Sequence, residues 1–81
     1  MTFGQAIEYL ELGNEVFREG WNGKGIFIKL QVPDKNSFMT EPYIYIDTMG
    51  LENDNAKMRI PWLASQSDML AVDWQARLRD K

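Results

Sequence analysis

Three tryptophans and the polar residues beside them carry the chemistry in this sequence. Two lie in Pro61-Trp62-Leu63-Ala64-Ser65-Gln66-Ser67-Asp68-Met69-Leu70-Ala71-Val72-Asp73-Trp74, and the third in Gly20-Trp21-Asn22-Gly23-Lys24-Gly25. An indole offers a flat apolar face, while amides, hydroxyls and carboxylates bond to the polar edges of what lies on it. Together these residue types suit a pocket for a planar polar molecule. The competing role for each indole is packing, since aromatics also dominate cores and interfaces.

Trp21, with Trp62 or Trp74, forms the candidate flanking walls of such a pocket, and Asn22, Ser65, Gln66 and Asp68 are its candidate polar contacts. Asp68 suits hydroxyls and not phosphate, because a carboxylate repels an anion. The glycines of the first motif permit positive φ and close approach. The amides of Gly23 to Gly25 form a candidate anion nest with Lys24, and Phe27 is a further candidate ligand-binding residue. The spacing is not that of a Walker loop, and Asn-Gly also serves as an ordinary hairpin turn. A base stacked on an aromatic ring gives ~1–3 kcal/mol, and a charged hydrogen bond ~1.5–3 kcal/mol. Nanomolar binding needs about 12 kcal/mol net. A shallow surface on one small subunit falls short of that; a pocket closed by two subunits does not.

Composition narrows the function classes. The 81 residues make one domain, 1–81, near the size where oligomerisation becomes a useful source of burial. With 44% hydrophobic and 26% charged residues, the chain is ordinary globular material. There is no cysteine and no histidine, which removes the thiolate metal sites and the usual acid–base group of neutral pH. An enzyme, a metal site and a resident cofactor are therefore not expected. Net charge −3 argues against DNA or RNA as partner. No apolar run approaches a membrane span, and the start lacks the pattern of a signal peptide. A cytoplasmic protein is expected.

The elements that must position these residues read as α+β: a small antiparallel β-sheet, an N-terminal helix packed on it, and a short helix before the last strand. Thr2-Phe3-Gly4-Gln5 forms a capping box, and Phe3, Ala6, Ile7 and Leu10 share one face of a helix from Phe3 to Leu12. Gly13 stops it in the left-handed conformation. Glu15 to Arg18 is a short strand. Ile26, Ile28, Leu30 and Val32 define the buried face of the next. Tyr43–Met49 and Ala56–Ile60 make an antiparallel hairpin. Ser65-Gln66-Ser67-Asp68 is a second capping box, opening a helical turn or two through Leu70. Val72, Trp74, Ala76 and Leu78 alternate, which favours a final strand, although the Ala, Gln and Arg of this segment would also suit a helix. The free amides at the second helix start favour negative charge. Met39, Met49, Met58 and Met69 are expected to fill gaps in the core.

In its motifs the chain resembles a family of small phage and prophage proteins, the second type of Thoeris anti-defence protein. The resemblance rests on Phe3-Gly4-Gln5-Ala6-Ile7, Gly20 to Gly25, and above all Pro61 to Trp74, and it covers nearly the whole chain in order. The departure lies between Pro33 and Asn55, where the family varies in length and this chain is compact. The resemblance implies a sponge: a homotetramer that binds a cyclised ADP-ribose isomer (glycocyclic ADP-ribose) made by a TIR-domain immune enzyme, at subunit interfaces and without cleaving it. It further implies that some members hold cyclic dinucleotide signals of CBASS systems at separate sites, and that the protein works in the cytoplasm of the infected bacterium. The alternative from another class is an acidic protein–protein inhibitor of a host nuclease, of the anti-CRISPR type. Against it, the acidic residues are dispersed among nine basic ones.

Overall fold

The computed structural model describes residues 1–21, 25–51 and 57–77. Helix α1 (Phe3–Glu11) leads into β1 (Glu15–Arg18), β2 (Phe27–Gln31), β3 (Tyr43–Asp47) and β4 (Arg59–Pro61). A short helix α2 (Gln66–Leu70) then precedes β5 (Trp74–Arg77). The sheet runs β4-β3-β2-β1-β5, and every neighbouring pair is antiparallel. The α+β arrangement expected from the sequence is the one observed, in the same element order.

Both capping boxes form. The Thr2 hydroxyl accepts from the Gln5 amide at 3.2 Å while the Gln5 side chain accepts from the Thr2 amide at 2.9 Å. That satisfies two donors that a helix start leaves open. Leu12 caps the far end, and Gly13 turns the chain at φ +92°. Ala6 and Leu10, one turn apart, press on Val16, Ile28 and Trp74 to make the fully buried core. Val16 and Ile28 are opposite one another across β1 and β2.

Three local expectations shift. Strand β2 stops at Gln31, where its pairing with Tyr43 ends, so Val32, just before amide-less Pro33, is 63% exposed instead of sharing the buried face. The last strand begins at Trp74, leaving Val72 exposed; Leu78 lies outside the described residues. The four methionines are exposed and fill no gap in the core, because each falls on a loop, a strand flank or the outer side of α2. Pro61 ends β4, a position an edge strand tolerates because it asks for no ladder donor there. The Trp62 amide still donates to the Ile44 carbonyl at 3.0 Å.

Because β4 and β5 are the two edges, residues 62–73 must cross the whole sheet. They do so on the α1 side, and α2 is the middle of that strap.

Candidate functional site

The strap and the turn after β1 bring all three tryptophans together within one chain. Trp74 is the hub, fully buried, with ring centroids 5.4 Å from Trp21, 6.2 Å from Trp62 and 5.2 Å from Phe3. Trp21 and Trp62 are 6.2 Å apart and half-buried. The pairs among the three indoles meet edge to face, the arrangement the ring quadrupole favours. The Trp74 indole N–H donates to the Asp68 carbonyl at 2.9 Å, so its one polar atom is satisfied inside. Trp74 therefore offers no open face for stacking; Trp21 and Trp62 are the indoles with exposed surface.

Charge holds this assembly in place. One Asp68 oxygen accepts from the Ser65 amide at 3.0 Å and the Ser65 hydroxyl at 2.9 Å, and the other from Arg18 Nη1 at 3.0 Å. Asp73 accepts from Arg18 Nε at 2.9 Å on one oxygen and from the Gly20 amide at 2.9 Å on the other. Burial pushes the Asp68 carboxyl up, but the Ser65 bonds and Arg18 outweigh it and hold it below the ordinary value. Arg18 lowers Asp73 in the same sense, against a smaller burial effect and with help from the Gly20 amide. Arg18 is raised in turn by its bonds to Asp73 and Asp68.

The positions of the expected site residues follow. Trp21 borders a groove of about 260 Å³ with Phe17, Arg18, Gly25 and Arg77. Asn22, Gly23 and Lys24 lie outside the described residues. Gly25, at φ +93°, sits so close to Gly50 that a Cβ added to it would lie 3.0 Å from the Gly50 backbone. Ser65 and Gln66 are exposed beside Trp62 at the start of α2. Asp68 supplies the N-terminal charge of that helix from within, so its first turn is already compensated. Phe27 is not with the tryptophans. It lies on the opposite face of the sheet, in a wider concavity of about 480 Å³ with Lys29, Tyr43, Tyr45 and Arg59. There Arg59 donates to the buried carboxylate of Asp47 at 2.8 Å, and burial, with Asp47 nearby, raises the Tyr45 phenol. Arg77 stands 5.1 Å from the Phe17 ring centre and 5.9 Å from that of Phe27, bonded to Glu15 at 2.7 Å.

Arg18 and Asp73 are site residues that the sequence motifs do not single out. The available signal was an arginine two residues before the Gly20 turn and an acid directly before Trp74, with no other reason for either.

The fold and the site together define a small α+β domain, a helix-backed antiparallel sheet whose β4–β5 strap closes on a tryptophan cluster. The chain belongs to the Thoeris anti-defense 2-like domain family, whose sequence profile matches residues 1–76. It is similar to Thoeris anti-defense 2 of Bacillus phage SP01, at 34% identity over 83 residues, covering 91% of this chain and 91% of that protein.

Proposed function

We propose that this protein is a phage anti-defence sponge. It binds a cyclic ADP-ribose isomer, the glycocyclic signal of TIR-domain immune enzymes, in the cytoplasm of the infected bacterium, and holds it uncleaved so that the effector is not activated. The observation that carries this reading, beside the family, is the pair of half-buried indoles Trp21 and Trp62 braced on a buried third, with Trp21 beside a groove that Arg77 also lines. Rigid aromatic edges next to a cation fit a purine joined to a diphosphate.

The groove on one chain, about 260 Å³, is below the ~300–1,000 Å³ of ordinary ligand sites. That supports a pocket completed by a second copy, as does the chain's apolar balance. Among the described residues the buried hydrophobic core holds five, while twelve large hydrophobic side chains are exposed. A homotetramer would cover part of that surface. Cyclic dinucleotides, the second ligand class, would use a different place. The concavity on the open sheet face puts Phe27 and Tyr45 beside Lys29 and Arg59, rings and cations together.

The test is direct. The purified protein is incubated with glycocyclic ADP-ribose, free ligand is removed, the protein is heat-denatured, and the supernatant is analysed by mass spectrometry. Intact signal in the supernatant is the expected result. A cleaved product would make the protein an enzyme, and no retained signal would leave the protein–protein inhibitor reading.

A further inference from the structure

Arg18 lines the Trp21 groove, and a guanidinium beside an indole is the obvious anchor for a diphosphate. Its bonding says otherwise. Nε and Nη1 are held by Asp73 and Asp68, so one positive charge faces two negative ones, and the local sum is −1. Such a cluster repels a phosphate group.

What the cluster does instead is fix geometry. Asp73 reaches past Arg18 to the Gly20 amide, and the fit is close enough that a Cβ at Gly20 would come within 3.0 Å of that oxygen. The Glu19 amide donates to the Asp73 carbonyl at 3.0 Å, and the Trp21 amide to the Arg18 carbonyl at 3.1 Å. On the other side, Asp68 ties Arg18 to the capping box of α2, and its carbonyl holds the Trp74 indole. The turn bearing Trp21 and the strap bearing Trp62 are thus joined through one planar fork. Lysine, a point charge without that fork, cannot span both carboxylates in the same plane.

We infer that Arg18 is a positioning residue of the tryptophan cluster. Acting through Asp73 and Asp68, it sets Trp21 against Trp62, and it does not itself hold the ligand's phosphates. The binding half of this inference rests on the sponge reading; the half that concerns the indoles does not.

The test uses Arg18→Lys and Asp73→Asn in the full-length protein, with Lys35→Met on the exposed 33–42 loop as control. Near-UV circular dichroism of the ligand-free proteins, taken well below their melting temperatures, reports the mutual placement of the indoles. Calorimetry with glycocyclic ADP-ribose reports affinity. The expected result is an altered tryptophan band in both variants and not in the control, with binding weakened about tenfold in both. A direct phosphate contact gives the opposite pattern for Asp73→Asn, because removing a carboxylate frees the guanidinium and strengthens anion binding. Tighter or unchanged binding by Asp73→Asn therefore overturns the inference, and so does an unaltered tryptophan band in both variants. If the wild-type protein binds no signal while both bands change, the sponge reading fails and the placing role of Arg18 stands.

Discussion

Replacing Trp74 by phenylalanine separates packing from ligand stacking at the centre of the cluster. The indole is fully buried and touches Phe3, Trp21 and Trp62. Phenylalanine keeps an aromatic ring there but leaves ~40 Å³ empty, which at ~24 cal/mol per Å³ costs about 1 kcal/mol. Losing the indole N–H bond to the Asp68 carbonyl costs about 1 kcal/mol more. The sum, ~2 kcal/mol, corresponds to a fall of ~8–16 °C in Tm for a domain of this size. Urea unfolding followed by far-UV circular dichroism measures it, with an unchanged m-value confirming that stability alone has moved. The same change at half-buried Trp21 or Trp62 should cost less than half as much stability. A loss under ~0.5 kcal/mol for Trp74→Phe would refute the buried-hub account.

Three further outcomes follow from the geometry. Gly13→Ala and Gly25→Ala both place an alanine at positive φ, about 1–2 kcal/mol of backbone strain; only Gly25 also drives a methyl onto the Gly50 backbone, so its melting temperature should fall further. Thr2→Ala removes the α1 capping box and should lower stability by about 1 kcal/mol in the same urea assay. Asp68 and Asp73 are both held below the ordinary aspartate value of 3.8, so the folded state binds fewer protons than the unfolded one. Their contribution is complete above that value and is lost as pH falls below it through the folded values. The urea midpoint should stay level from neutral pH to about 5 and drop below pH ~4, and a midpoint as high at pH 3 as at pH 6 would contradict that linkage.

The α1 capping box, the strand order along the chain and the antiparallel β3–β4 hairpin were legible because each rests on local chemistry: a cap, a period of two, a turn residue. What local chemistry does not encode is which face of the sheet a residue ends on relative to a distant one. Phe27 and Trp21 are six positions apart in the chain, yet they lie on opposite sides of the sheet. Trp74 reads in sequence like Trp21 and Trp62, and only the strap's path across α1 makes it the buried one. Arg18 and Asp73 were invisible for the same reason: a long-range ion pair has no period. The separation of Gly25 from Gly50, an approach of two backbones, leaves no mark in either motif beyond the glycines themselves.

The strap across the sheet has a consequence for how the chain folds. Strands β1 and β5 pair residues as far apart as Glu15 and Arg77, 62 positions along the chain. The two edges joined by residues 62–73 stand ~19 Å apart, four strand spacings of ~4.8 Å. Closing so long a loop is entropically costly until the sheet between its ends exists. The helix and the β2–β3–β4 meander can form from nearby contacts, and the Trp62 amide bond to Ile44 puts Trp62 with that meander; β5 has only β1 to pair with and is expected to arrive afterwards. Trp74 rides in on that closing segment, so completion of the indole cluster is expected to be a late step, and a tryptophan signal that settles before the far-UV band in refolding would contradict it.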